Sequence, residues 1–287
     1  RVRPFLLAAR EAHPGLVISL DTWRSEVLAA CADAGVDLVN DTWAGADPEL
    51  AHAAAELGAG YVVSHTGGLP PRTDPVDVSY GEGPDAVVAS VLSGLAAGAR
   101  RAVDAGVRPE SVLIDPTLDF GKTTRNSLRV LRATGLVAGL GFPVLQAISR
   151  KDFVGETLDL PASERLEGSL AATAVAAWLG ATVFRTHDVA ATRRVLDMVA
   201  SSRGGPRSGP PSPFAAHRDD RRAVASALAT PAMAATMKEL NDPAVVSQSI
   251  AVTNCLSYVG VAVLSNVAGL TLDLYGSQAT AVGNRVV

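Results

Sequence analysis

Val112-Leu-Ile-Asp-Pro-Thr-Leu-Asp-Phe-Gly-Lys122 is the most informative segment of the sequence for the fold. A short apolar run ends in Asp115, and a proline and a Gly-Lys loop follow directly. Buried parallel strands are short apolar runs, and the functional side chains of barrels built from them stand at the carboxyl ends of the strands. The stretch therefore predicts a buried parallel strand that delivers a carboxylate to a site.

Five further apolar runs also end in polar residues. In chain order these residues are Asp21, Asn40, His65, Ser149 with Lys151, and Arg185 with His187. Helical patterns separate the runs, including predicted helices over 84–105, 124–138 and 163–179, so that strands and helices alternate at least six times. Such alternation predicts an α/β fold with a parallel sheet covered by helices.

Two architectures are compatible with such a sheet, an open doubly wound sheet and a closed (β/α)8 barrel. No Gly-x-Gly-x-x-Gly opens the first strand–helix turn, which weakens a dinucleotide-binding interpretation. Polar residues after nearly every strand favour the barrel, whose site draws on all its strand–helix loops. Because only six units are present, we predict a TIM (β/α)8 barrel that lacks its first two strands.

Composition divides the chain into three parts. We predict a partial barrel over 1–202, a linker rich in Pro, Gly, Ser and charge over 203–229, and a mostly helical apolar tail over 230–287. Residues 243–272 carry no charge, which is longer than the roughly 20 residues that span a bilayer. Their many Ser, Asn and Gln residues leave a buried or amphipathic helix as a nearly equal alternative to a membrane span.

Charge and cysteine content limit the class of partner. The formal net charge of −4 argues against nucleic acid as the main partner, because phosphate-backbone binders carry a basic face. A small anion held by local cations is still compatible with this charge. Cys31 and Cys255 lie far apart in the chain, so a disulfide is not expected and a reducing cytoplasm fits.

The cations after the last two strands predict a phosphate site. Ser149-Arg-Lys151 and Arg185-Thr-His187 follow consecutive strands, and the loops at this point of a barrel commonly bind phosphate. Lysine, arginine and histidine would together hold a pyrophosphate, which we favour over a solvated charge cluster.

The other strand ends admit two readings. Asp115 suits a bidentate hydrogen bond to an amino-heterocycle, or it caps its own loop. Asp21-Thr22 and Asn40-Asp41 are as well explained by helix capping as by ligand contact. His65 either lines the site or is a core histidine, and it has no partner at metal-ligand spacing.

Taken together, these motifs resemble dihydropteroate synthase over about residues 1–200. The matching pieces are Ser19-Leu-Asp-Thr22, Val39-Asn-Asp41, Ser64-His65, Ile114-Asp-Pro-Thr-Leu-Asp-Phe-Gly-Lys122, Ser149-Arg-Lys151, Glu164-Arg-Leu-Glu-Gly-Ser-Leu170 and Arg185-Thr-His-Asp-Val189. The resemblance implies a TIM-barrel transferase of folate biosynthesis that condenses 6-hydroxymethyl-7,8-dihydropterin pyrophosphate with 4-aminobenzoate. It also implies Mg2+ as cofactor and a cytoplasmic homodimer.

The resemblance assigns roles by position. It implies a pterin site made by Asp21, Asn40, Asp115 and Lys151, a pyrophosphate site made by Arg185 and His187, and an aminobenzoate side, the target of sulfonamides, made by Phe120, Ser149 and Arg150. Lys151, Arg185 and His187 would be the catalytic group. The two strands that carry the family's metal-binding loop would lie upstream of residue 1, so no metal ligand is assigned and this chain by itself is expected to be inactive.

Two features depart from the family pattern. Asp115-Pro-Thr-Leu-Asp-Phe120 replaces Asp-Pro-Gly-hydrophobic-Gly-Phe, and a Cβ at Thr117 is expected to restrict the turn or the approach of the pterin. With His65-Thr-Gly-Gly-Leu-Pro-Pro-Arg72, this resembles an actinobacterial second-copy subgroup whose synthase activity is in question. The alternative function is therefore a non-catalytic pterin-binding paralogue or regulatory protein. A pterin-dependent methyltransferase is disfavoured by the three cations, and the tail resembles a piece of a major facilitator transporter.

Overall fold

The protein forms seven strands and nine α-helices in the part of the chain that the structure describes. The structure, a computed structural model, describes residues 2–73, residues 78–204 and the backbone of residues 260–263. The strands are β1 (Ile18–Asp21), β2 (Leu38–Asn40), β3 (Gly60–Ser64), β4 (Val112–Asp115), β5 (Leu145–Ala147), β6 (Val183–Arg185) and β7 (Gly260–Val263). The helices are α1 (Val2–Ala12), α2 (Ser25–Ala30), α3 (Glu49–Glu56), α4 (Ala86–Asp104), α5 (Thr124–Arg132), α6 (Thr134–Ala138), α7 (Asp152–Leu158), α8 (Leu166–Trp178) and α9 (Val189–Ser202).

The first six strands are parallel and adjacent in chain order, as predicted. β1, β2, β3 and β4 pair in that sequence, with Asp21 beside Asn40 and Ser64 beside Asp115. A parallel bridge between Ile114 and Val144 continues the order into β5, and β5 pairs with β6. The carboxyl ends of all six strands therefore lie along one rim.

One face of the sheet carries a hydrophobic cluster whose described members all come from strands. Val62, Leu145 and Val183 are buried together from β3, β5 and β6, with Leu38, Leu113 and Ala147 packed against them. The other face carries the large core, to which helices contribute. A doubly wound sheet has helices on both faces, whereas a barrel interior is filled by strand side chains. The packing therefore identifies the barrel and excludes the doubly wound alternative.

Helix α4 illustrates how the outer helices pack against the strands. Its residues Val91, Leu95 and Ala99 are fully buried, and a Cβ on Gly98 would lie 2.4 Å from a methyl carbon of Val63. Glycine at this position therefore permits close contact between α4 and β3. By length and composition α4 could cross a membrane, but here it packs against β3 and β4 as a core helix.

Two helices differ from the prediction. The predicted helix 124–138 is divided at Ala133, next to a buried Thr134 whose hydroxyl donates to the carbonyl oxygen of Leu131 and accepts from Gln146. Helix α7 was not predicted, because its seven residues follow the cationic loop directly and show no helical repeat long enough to recognise.

The tail departs from the helical expectation where it is described. Residues Gly260–Val263 form β7, which pairs antiparallel with β1, so the helical prediction is wrong for these four residues. The remainder of the predicted linker and tail, including the candidate membrane span and the transporter resemblance, lies outside the described residues apart from 203 and 204. The predicted domain boundaries stay predictions.

Candidate functional site

Residues from the two ends of the row of parallel strands meet at the rim. Asn40 donates from Nδ2 to Oδ2 of Asp21 at 3.2 Å, and Nη2 of Arg185 lies 3.1 Å from the same oxygen. The side chains of Arg185 and Asp21 are only 20% and 13% exposed. Burial raises the pKa of the Asp21 carboxyl, while Arg185 and then Asn40 oppose this shift. The structure thus joins two predicted ring-binding residues to a predicted pyrophosphate-binding cation.

Asp115 is the most deeply buried acid of the predicted pterin site. Its side chain is 5% exposed, and the backbone N–H of Thr117 donates to its Oδ1 at 2.7 Å. Burial raises the pKa of Asp115, and the charges of Lys151, Arg185 and Lys122 counteract that shift. Asp115 therefore caps its loop and also lies within the field of the rim cations, and its hydrogen bond to an amino-heterocycle stays a prediction.

Lys151 connects the loop after β5 with the loop after β4. Its Nζ donates to the carbonyl oxygen of Leu118 and lies 5.2 Å from the centroid of the Phe120 ring, a cation–π distance. Burial lowers the pKa of Lys151, and Asp115 and Asp119 oppose the shift. The predicted pterin contact Lys151 and the predicted aminobenzoate contact Phe120 are therefore neighbours.

The loops after β5 and β6 are joined by a serine and a histidine. Ser149 Oγ lies 3.0 Å from Nδ1 of His187 and accepts the backbone N–H of His187 at 3.3 Å. Burial lowers the pKa of His187, as do the charges of Arg150 and Arg185. Arg150 forms a two-pronged ion pair with Asp188 at 2.9 and 3.1 Å. Arg185, the last residue of β6, supplies the contact with Asp21 described above.

The second residue of each polar pair bonds within its own loop and does not cap the helix that follows. Asp41 accepts hydrogen bonds from the Tyr61 hydroxyl at 2.9 Å and from the N–H groups of Trp43 and Gly45. Thr22 Oγ1 accepts the N–H of Arg24 at 3.1 Å. These side chains hold their own loops, whereas Asp21 and Asn40 bond to each other at the rim.

His65 is a core histidine. It is buried, its Nε2 lies 3.1 Å from Ser90 Oγ, and its ring stacks on Tyr80 with centroids 6.1 Å apart. Burial, with a smaller contribution from the Lys122 charge, lowers the pKa of His65 to about 3. The side chain is therefore neutral near pH 7.

The sequence analysis assigned no role to Lys122, which organises the β4–α5 loop. Its side chain is 1% exposed, and its Nζ donates to the carbonyl oxygens of His65, Thr117 and Phe120 at 2.8, 3.0 and 2.9 Å. Burial and the nearby Lys151 charge lower the pKa of Lys122 to about 7. The position of Lys122 at the end of the Val112–Lys122 motif was the one sequence signal for a structural role. Its partners could not be predicted, because they are backbone carbonyl groups and a side-chain pattern does not reveal them.

Thr117 and Asp119 occupy backbone conformations that favour glycine, with φ of +52° and +70°. Their side chains have partners: Thr117 Oγ1 donates to the carbonyl of Asp115 and accepts the N–H of His65, and Asp119 accepts N–H groups from the start of α7. The Cβ of Thr117 was expected to restrict the turn, and the turn is in fact closed by its hydroxyl.

The described residues contain no group of three or more His, Cys, Asp or Glu side chains that could hold a metal ion. The described rim residues therefore do not form a Mg2+ site by themselves.

A barrel of parallel strands with buried acids and cations along one rim defines a small-molecule site of the kind that TIM-barrel enzymes carry. The sequence profile of the family described as "Pterin binding enzyme" matches residues 1–187. The chain belongs to this family. The match confirms the predicted family and, with the parallel strands, the predicted barrel fold of this part of the chain.

Within this family, the chain is similar to proteins named dihydropteroate synthase. A Mycobacterium leprae protein named "Inactive dihydropteroate synthase 2" is 55% identical over 204 residues, which are 71% of this chain and 70% of that protein. This fits the predicted second-copy subgroup. The chain spans about two thirds of the length of the curated relatives it matches, 64% in the Mycobacterium tuberculosis proteins of the same name.

Two solved structures share the fold. The Coxiella burnetii dihydropteroate synthase in complex with pteroic acid matches at 29% identity and TM-score 0.64, over 71% of this chain and 74% of that one. The Thermus thermophilus dihydropteroate synthase in complex with 4-aminobenzoate matches at 35% identity and TM-score 0.63, over 69% and 78%.

Proposed function

We propose that this chain binds a dihydropterin diphosphate at the barrel rim and does so without efficient condensation to dihydropteroate. The ring is held by Asp21, Asn40, Asp115 and Lys151, and the diphosphate by Arg185 and His187. The observation that carries the proposal is the contact of Arg185 with Asp21, because it sets a diphosphate-binding cation directly beside a ring-binding acid.

The donors and acceptors suit a 2-amino-4-oxo ring. Asp115 is a buried acceptor and Asp21 a partly buried one for its amino group and ring N–H, and Asn40 and Lys151 are donors for its oxygen and ring nitrogen. A buried carboxylate is costly unless it is paired, and a ligand with two neighbouring N–H donors satisfies it. The complex of a related synthase with pteroic acid supports this class of ligand.

Two observations favour binding without turnover. Thr117 and Asp119 stand where the synthase pattern has glycines, and their side chains occupy the loop between the ring site and Phe120. The Mycobacterium leprae relative is named as inactive. The proposal is thus the pterin-binding paralogue that the sequence analysis named as its alternative.

The second candidate is the synthase reaction itself, which is favoured by the retention of Lys151, Arg185 and His187 at the rim. In that reaction the pterin CH2–O bond breaks, pyrophosphate leaves with the bonding electrons, and the aryl amine forms the C–N bond and loses a proton. Arg185 and His187 would stabilise the departing charge, and Lys151 would keep the ring aligned. Mg2+ and a homodimer remain expectations from the resemblance.

The test is calorimetric titration of the full chain with 6-hydroxymethyl-7,8-dihydropterin pyrophosphate, beside an assay of pyrophosphate release with 4-aminobenzoate. We expect binding that falls by about tenfold or more in Asp115→Asn, with no pyrophosphate release. The matched control is Asp33→Asn, which removes an exposed acid paired with Arg3 far from the rim. Absence of binding would refute the proposal, and steady pyrophosphate release would establish the second candidate.

A further inference from the structure

Asp119 places a carboxylate between the two loops that would surround a second, aromatic ligand. Its Oδ2 accepts the N–H of Asp152 at 2.8 Å, and both its oxygens lie 3.3 Å from the N–H of Phe153. Asp152 directly follows Ser149-Arg150-Lys151, and Asp119 directly precedes Phe120. Asp119 therefore joins the Phe120 side of the space to the Ser149–Lys151 side.

The partners of this carboxylate are all donors. Besides the two backbone N–H groups, the hydroxyl of Ser127 donates to Asp119 Oδ1 at 3.2 Å. Lys151, whose amine lies over the Phe120 ring, interacts electrostatically with both Asp115 and Asp119. Lys151 is thus already balanced by two resident acids, so an incoming anion gains little from this cation and meets a like charge.

Asp119 has a backbone conformation that favours glycine, which indicates that its carboxylate has a role that offsets the cost of the side chain. At φ +70° glycine has no steric cost, whereas a side chain costs free energy in this conformation. Asparagine and aspartate tolerate it best among the other residues because their short polar side chains bond locally. Here the side chain bonds to residues 33 and 34 positions further along the chain rather than to its own turn.

We propose that Asp119 is a specificity-determining residue that excludes arylcarboxylates from the space beside Phe120 and leaves it to uncharged aromatic ligands. This inference rests on the proposed function, since it concerns the ligand that would lie next to the pterin. It accounts for a rim that keeps its ring-binding and diphosphate-binding residues while the synthase co-substrate, an anion, is rejected.

Two ligands that differ in charge and little in shape test the inference. The full chain is titrated with 4-aminobenzoate and with 4-aminobenzamide, each with and without 6-hydroxymethyl-7,8-dihydropterin pyrophosphate. We expect the wild type to bind the amide about tenfold more tightly than the carboxylate, and Asp119→Asn to remove that preference. Asp119→Glu, which keeps the charge, is expected to retain the preference, and Asp33→Asn to leave it unchanged.

Loss of the contacts to α7 could unfold Asp119→Asn, so Asp119→Gly, which suits the positive φ, is titrated in parallel. A wild type that binds the carboxylate as tightly as the amide overturns the inference, as does an unchanged ratio in the folded variants or binding of neither compound to any form. The titrations without pterin separate this result from the proposed function, because a failure of pterin binding leaves the ratio of the two aryl compounds measurable.

Discussion

The guanidinium of Arg185 lies 3.1 Å from the carboxylate of Asp21, although these residues end the sixth and the first of the parallel strands. The contact spans the gap between the two ends of the row. It brings a cation suited to phosphate next to an acid suited to a ring amino group. Loss of the arginine would therefore affect the two parts of a pterin diphosphate to different extents.

Arg185→Met is expected to weaken the binding of dihydropterin pyrophosphate by about 10- to 100-fold, because a charge-assisted bond to phosphate contributes about 1.5–3 kcal/mol. The binding of 6-hydroxymethyl-7,8-dihydropterin, which has no phosphate, is expected to fall much less. Titration calorimetry with both ligands measures the difference.

Arg3→Met serves as the control for this variant, since Arg3 forms an exposed ion pair with Asp33. It is expected to bind both pterins as the wild type does. An equal loss of affinity for the two pterins in Arg185→Met would show that Arg185 acts only by holding Asp21, and would contradict its role at the diphosphate.

A second prediction concerns the turn at Thr117. Thr117→Gly relieves a positive φ that costs about 1–2 kcal/mol but leaves the buried N–H of His65 without its hydroxyl partner, a loss of about 1–3 kcal/mol. These effects nearly cancel, so we expect little change in the free energy of unfolding. Thr117→Val keeps the strained backbone and removes the hydroxyl, and is expected to destabilise by about 2 kcal/mol.

Urea unfolding of the wild type and the two variants at one pH measures these differences directly. Valine has nearly the shape of threonine, so the difference between the wild type and Thr117→Val reports the hydroxyl, and the difference between the two variants reports the strain of the positive φ. If Thr117→Val is as stable as the wild type, the hydroxyl contacts to Asp115 and His65 do not stabilise the turn.

The rim residues could be predicted because parallel strands impose their own geometry. An apolar run that ends in Asp115 or Asn40 sets that residue at the carboxyl edge, and neighbouring strands bring such residues together whatever the loops do. The pairing of Asp21 with Asn40 follows from this register. The contact with Arg185 needed the barrel curvature as well, since it joins strands from the two ends of the row.

The sequence did not predict helix α7 or the hydrogen-bond partners of Asp119 and Lys122. The partners of Lys122 are the backbone carbonyls of His65, Thr117 and Phe120. The pattern of side chains in a sequence does not show where backbone carbonyls will lie. The role of Asp119 depends on a left-handed backbone and on a seven-residue helix more than thirty positions away. The sequence showed that Asp-Pro-Thr-Leu-Asp departs from the family pattern, and only the folded loop shows what the new side chains bond to.

The buried amine of Lys122 predicts a pH dependence of stability. Burial lowers the pKa of Lys122 to about 7, whereas in the unfolded chain it has its ordinary value of 10.5. Between these two values the unfolded state binds more protons than the folded state, so the lysine's contribution to stability rises as pH rises and is lost as pH falls through 7. Below pH 7 both states are protonated and the contribution is constant.

Lys122→Met removes this titration and leaves three buried carbonyls without their donor, at a cost of about 1–3 kcal/mol. The quantity to measure is the free energy of unfolding of the wild type minus that of Lys122→Met, by urea denaturation from pH 6 to pH 10. We expect this difference to stay level up to about pH 7 and then to increase, while all groups common to both proteins cancel. A difference that stays flat above pH 7 would mean that Lys122 keeps its ordinary pKa in the fold, and that its three carbonyl contacts fully offset the burial of its charge.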